Sequence, residues 1–237
     1  FNTAVGYVAG NLITTGTRNT YIGGLTGDAN QTGSYNVAVG SYALTAATSG
    51  YNVAVGDYAL GATTTGSSLT AVGQGALQNN STGLYNTAMG QGAGLGNTTG
   101  SSNVVFGAIS LYTNSTGSNN TAVGVNCLYF NTGSGNVAVG KEALRYVTTS
   151  GYNTAIGTFA ADALTTGDSL VAVGTNAAGA TTTGGKITAV GYSALSLNTT
   201  GSRNTAFGYN AADSVTTGGN NVALGADSLG NVTTQNH

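Results

Sequence analysis

A short motif, Asn-Thr/Val-Ala-Val-Gly, recurs fourteen times and runs through the whole chain. Its glycines, from Gly6, Gly23, Gly40 and Gly56 to Gly208 and Gly225, are 17 residues apart, except for two 16-residue intervals ending at Gly56 and Gly140. A unit this short cannot hold a helix pair or a propeller blade. Counting from the Gly as position 0, position −1 is always apolar and −3 is always Thr or Val. Position −2 is Ala except at Tyr21 and Val105, and −4 is Asn except at Leu69, Leu170 and Ile187. Position −8 is Thr in all thirteen complete intervals, and +4 is Leu in eight coils. A brief β-branched run bounded by Thr-Gly and Asn is a strand signature. The expected fold is therefore all-β: a parallel β-solenoid of about 14 coils of 16–17 residues, a single repeat domain over 1–237. Coils ~4.8 Å apart would make a rod of roughly 65 Å.

Composition narrows the function. Charged residues are 5% of the chain, against about 25% in an ordinary domain. With 40% apolar residues this is not the balance of a disordered segment. A net charge of −2 supplies no basic field for a phosphate backbone, so no nucleic-acid partner is expected. No run of eighteen apolar residues suggests membrane insertion by this segment. The lone Cys127 sets no disulfide framework and fits a small packed position at +3.

Alternation places −3 and −1 on one face of each strand and −2 and 0 on the other. The Thr/Val and Val face is expected to fill the coil. The Ala/Gly face, with Ala38, Gly40, Ala54, Gly56, Ala71, Gly73, Ala122 and Gly124, is expected to meet a second chain, since small residues permit close backbone approach. The alternative is that they fit a narrow coil. Asn at −4 and Thr at −8 are expected to form ladders between coils. The Gly after that Thr is expected to supply a positive φ.

Asn204–Ala212 and Asn36–Leu44 carry the pattern Asn-Thr-Ala-Val-Gly-Tyr-x-Ala-Leu in whole or part. It resembles the head repeat of trimeric autotransporter adhesins. It is also similar to repeats of bacteriophage tail-fibre and related surface proteins, whose linking Asn-Thr-Thr-Gly-Ser segment stands here at Asn198–Ser202. The resemblance implies a left-handed β-roll, a trimeric rod and attachment at a cell or virion surface. The adhesin heads have a shorter repeat, and their neck, stalk and anchor have no counterpart in these 237 residues. Neither end carries a polar capping repeat, which suggests a segment of a longer fibre or end-to-end docking.

No catalytic set can be assembled. His237 is terminal, and Asp28, Asp162 and Asp213 share position +5 on separated coils, as turn residues would. No metal or cofactor is expected. Tyrosines share a register on consecutive coils: Tyr35 and Tyr51 at −5, Tyr42 and Tyr58 at +2, Tyr192 and Tyr209 at +1. They would be sugar-binding platforms or cross-coil packing. Asn30, Asn97, Asn114 and Asn198 head glycosylation sequons, which turn composition alone also generates.

The expected function is a non-catalytic structural and adhesive fibre, extracellular or on a virion, associating with itself and with a host-surface or glycan receptor. The alternatives are ice binding through the Thr row and carbohydrate binding through the Tyr rows.

Overall fold

A computed structural model describes residues 1–231 and 233–234; His237 lies outside the described residues. The fold is an all-β solenoid of parallel strands, each three residues long and each the −3 to −1 segment of a repeat. It divides into two compact units, Phe1–Asn120 and Thr121–His237. The first holds β1 (Thr3–Val5), β2 (Thr20–Ile22), β3 (Val37–Val39), β4 (Val53–Val55), β5 (Thr70–Val72), β6 (Thr87–Met89) and β7 (Val104–Phe106). The second holds β8 (Thr121–Val123), β9 (Val137–Val139), β10 (Thr154–Ile156), β11 (Val171–Val173), β12 (Thr188–Val190), β13 (Thr205–Phe207) and β14 (Val222–Leu224).

Pairing is in phase with the repeat, so like residues stack: Ala38 on Ala54 and Val39 on Val55 in the first unit, Ala155 on Ala172 and Ile156 on Val173 in the second. Main-chain bonds continue around the corners, as from Tyr42 N–H to Gly24 O at 3.1 Å and Leu44 N–H to Ala59 O at 2.9 Å. This ladder holds an unusual backbone in place. Among the described residues, 35 non-Gly residues have positive φ, in three columns at −5, +2 and +4. Each such residue costs about 1–2 kcal/mol against the right-handed region. The inter-coil bonds made by the same N–H groups offset that cost.

The two strand faces are the reverse of the expected assignment. Ala38, Ala54, Ala71 and Ala122 are fully buried inside their own coils. The Thr/Val and Val positions face outward instead. Ala is kept at −2 because the coil interior is narrow: the Ala column meets the Leu44, Leu60 and Leu77 column from +4, also fully buried or nearly so. Where β2 carries Tyr21 in place of Ala, the +4 residues on either side shrink to Gly10 and Gly27. A Cβ added at either would lie within 2.9 Å of the Tyr21 ring. The interior volume is thus traded between columns.

The glycines at position 0 are required by close approach of a backbone, but the backbone is the chain's own next coil. Gly40 has φ +136°, and a Cβ there would sit 2.5 Å from Gly56 O. The Gly after Thr serves the same end without a positive φ: Gly33, for one, lies against Ser49 O. Positive φ falls instead on the non-Gly residue at −5.

Asn at −4 staples coils together through the main chain. Asn19 Oδ1 accepts the Asn36 N–H at 2.9 Å, and its Nδ2 donates to Gly33 O at 2.8 Å. A second buried amide column at −10, with Asn80, Asn97 and Asn114, lies six residues before it. There Asn97 Nδ2 donates to Asn80 Oδ1 at 2.8 Å and to Gly100 O at 2.9 Å. Buried amides satisfied in this way hold the coil without ionic groups.

Candidate functional site

The outward face of the strands has no partner among the described residues. Side chains at −1 stack as Val5, Ile22, Val39, Val55, Val72, Met89 and Phe106 in the first unit, and as Val123, Val139, Ile156, Val173, Val190, Phe207 and Leu224 in the second. Ile22, Met89 and Ile156 are 41–43% exposed although each lies inside a run of paired strands. Position −3 flanks them with uncharged Thr and Val. Parallel sheets ordinarily have both faces covered. Here one face packs on the coil interior and the other stays bare, and no Lys, Arg, Asp or Glu falls on it. The residues expected to form an inter-chain face, Ala38, Gly40, Ala54, Gly56, Ala71, Gly73, Ala122 and Gly124, cannot do so: the alanines are interior and the glycines are blocked by the next coil. Alternation alone does not say which parity points inward, so the residues opposite them carry the exposed surface.

The tyrosines lie where their register placed them, at the surface and stacked. Ring centroids are 4.9 Å apart for Tyr35–Tyr51, 4.8 Å for Tyr42–Tyr58 and 5.4 Å for Tyr192–Tyr209, within 12° of parallel. Arg18 lies over Tyr35 at 5.1 Å and its guanidinium donates to the Tyr35 hydroxyl. Stacking along the coil direction covers one face of each ring and leaves its outer face for a sugar, except at Tyr35, where Arg18 takes it. A further pair was not foreseen. Phe130 and Tyr146 stack at 5.6 Å, and the next coil carries Ala163 at the same position. That drop in size opens an apolar groove of about 470 Å³ bordered by Thr148 and Thr165. Phe130 and Tyr146 share position +6 on consecutive coils, so their pairing is legible in the register of the aromatic residues.

The Thr column at −8 is exposed, as at Thr15, Thr65, Thr82 and Thr166. The hydroxyl bonds between coils come mainly from the preceding residue: Thr64 Oγ1 donates to Ser81 O at 3.0 Å and Thr165 Oγ1 to Thr182 O at 2.9 Å. In the shortened intervals Thr48 and Thr132 take that role. The ladder expected at −8 is therefore displaced by one residue in most coils; Thr32, Thr48 and Thr132 still bond the next coil from −8, and the other −8 hydroxyls, as at Thr15, Thr65, Thr82 and Thr166, face water.

The sequon asparagines Asn30, Asn97, Asn114 and Asn198 are fully buried with their amides bonded, so no glycan can be attached to the folded chain there. Cys127 is fully buried at +3, its Sγ 3.2 Å from Gly124 O, and burial pushes its thiol up to about 12. It cannot meet an equivalent on another chain. Burial also raises the Asp162 carboxyl, with the Ala163 N–H acting against it. Among the described residues no cluster of three His, Cys, Asp or Glu side chains could hold a metal ion, and no helix is long and apolar enough to cross a membrane.

Comparison with protein-family models, with curated proteins and with solved structures finds no match for the chain.

Proposed function

We propose that the chain is a non-catalytic structural and adhesive subunit that self-associates through the Thr/Val and Val face of its strands. The bare apolar sheet face carries this reading. With a few tens of Å² from each −1 and −3 side chain, a unit of seven strands presents on the order of 500 Å² of contiguous apolar surface, the scale at which such patches mark association. The occupant is a second copy of the same chain. Its ridges have the coil spacing of ~4.8 Å, and a surface of that period interdigitates along the whole stripe where an aperiodic one does not. Resemblance to trimeric adhesin heads and tail-fibre repeats points to three copies in a rod at a cell or virion surface, with a host-surface or glycan receptor. End-to-end stacking into a polymer is compatible with the same fold.

Light scattering tests this on the native chain and on a variant carrying Val39→Lys, Val55→Lys and Val72→Lys. The native chain is expected to be a discrete oligomer or an open-ended polymer, and the variant a monomer with an unchanged circular dichroism spectrum. A native monomer at tens of micromolar would sink the proposal.

A second reading rests on the exposed Thr column at −8, where the hydroxyls of Thr15, Thr65, Thr82 and Thr166 make no bond to the next coil. Such a row suits ordered water, and ice binding through it would appear as thermal hysteresis. No hysteresis at millimolar chain would end that reading.

A further inference from the structure

The chain holds five basic residues in all, and two of them stand directly above one another. Lys186 and Arg203 occupy position −5 before β12 and β13, in the left-handed conformation (φ +57° and +59°) that turns this corner outward. Lys186 N–H donates to Asp168 O at 3.0 Å and Arg203 N–H to Gly185 O at 3.1 Å, so both belong to one stacked corner. Like charges on neighbouring strands repel. Neither is neutralised: the ion pairs among the described residues, Lys141 and Arg145, both use Glu142. In a chain with so few charges, this pair is a positive spot held in no ion pair, in a groove that also carries one carboxylate, Asp168.

The groove holds about 430 Å³ and is lined by Thr166, Gly167, Asp168, Thr183, Gly185, Lys186, Ser202 and Arg203. Its charged groups lie on successive coils: first Asp168, whose Oδ1 accepts the Gly151 N–H at 3.0 Å and whose other oxygen has no hydrogen-bond partner, then Lys186, then Arg203. Hydroxyls stand beside them: Ser202 Oγ accepts the Gly185 N–H at 3.2 Å and keeps its proton to donate. Thr166 and Thr183 belong to the exposed column at −8.

We propose that this groove binds an acidic monosaccharide unit, with its carboxylate on Lys186 and Arg203 and its ring hydroxyls on Asp168, Thr183 and Ser202. The combination of two cations with one carboxylate selects that class. Arg offers a planar donor fork to a carboxylate, and Lys a point charge. Asp168 accepts only, so it favours a ligand that also carries hydroxyl donors. A bare oxyanion leaves Asp168 unused and faces its charge. The overall charge of −2 supplies no field for a long polyanion, so recognition is of one acid group at a time. This site does not depend on self-association, because its residues lie off the Thr/Val and Val face.

Ligand-observed saturation-transfer NMR with methyl glucuronide and methyl glucoside as separate probes, and sodium sulfate as a competitor, tests it on the intact chain. Expected is saturable binding of the glucuronide, at least tenfold weaker binding of the glucoside, and at least tenfold loss in a Lys186→Gln/Arg203→Gln variant. Asp168→Asn is expected to weaken the glucuronide several-fold and to leave competition by sulfate unweakened. Both basic side chains are exposed, so the circular dichroism spectrum and melting midpoint of the variants should match the native chain; the single Arg203→Gln serves if the double variant does not fold. Equal binding of glucoside and glucuronide, unchanged binding in the variants, sulfate displacing glucuronide at equal concentration, or no binding at all would each overturn the proposal.

Discussion

Replacing Tyr21 by Ala tests whether the coil interior is a fixed volume shared between columns. Tyr21 is fully buried, and its hydroxyl is bonded to Asn30. Truncating a buried aromatic costs about 3–5 kcal/mol. Asn30 Nδ2 retains its bond to Gly33 O at 3.2 Å, so loss of the hydroxyl adds little. About 4 kcal/mol is therefore expected for Tyr21→Ala alone. Gly10→Leu with Gly27→Leu should fail in the native background, because both new Cβ atoms would enter the Tyr21 ring; overpacking of this kind costs about 1–3 kcal/mol or more. The backbone itself accepts Leu there: Gly10 and Gly27 have φ +58° and +57°, and Leu44 and Leu60 occupy the same position at +51° and +54°. The triple variant restores the Ala-and-Leu pattern of the other coils and should lie within about 1 kcal/mol of native, a coupling of at least about 4 kcal/mol. Solenoids lose cooperativity between repeats, so the readout is native-state hydrogen exchange of the β2 and β3 amides. Additive losses in the triple variant would refute the volume-trading argument.

Gly56→Ala should cost about 3 kcal/mol, since it combines φ +133° with a Cβ 2.5 Å from Gly73 O, and urea unfolding followed by circular dichroism reads it. Asn36→Ala leaves two main-chain groups without partners, the Asn52 N–H at 3.0 Å and the Ser49 O at 3.0 Å, at roughly 1–3 kcal/mol each; accelerated exchange of the Asn52 amide is the local signature. Cys127, with its thiol near 12 and no exposed surface, should react with a disulfide reagent at pH 8 only on unfolding; rapid modification of the native chain would contradict the packing. Burial raises the Tyr21 phenol above its ordinary 10.0, with the Asn30 and Asn36 bonds acting against it. The neutral form is thus favoured in the fold. That contribution is complete below pH 10 and should fall away as pH rises through the folded value; phenolate absorbance with and without urea measures it.

The repeat made much of the fold readable. A 17-residue period with one β-branched run per unit admits one strand per coil, and identical units pair in phase, so strand positions and parallel pairing followed from spacing alone. The stacked tyrosines followed too, because residues sharing a register must neighbour one another. The faces did not follow. A strand with Thr/Val and Val on one side and Ala and Gly on the other is apolar on both, and alternation relates residues i and i+2 without stating which side is enclosed. Only the closed coil decides that: its bore is narrow enough that Ala fits opposite Leu44, and the larger side chains Val105 and Tyr21 enter at −2 only where +4 residues beside them shrink to Gly94, or to Gly10 and Gly27. The same closure buries the sequon asparagines, moves most of the hydroxyl bonds to the residue before Thr, and turns the small residues of position 0 toward the next coil. It also creates what no residue pattern announced, the step from Tyr146 to Ala163 and the unneutralised pair Lys186 and Arg203. Spacing along a repeat determines which side chains are neighbours; the three-dimensional path of the coil determines whether those neighbours face the interior or the solvent.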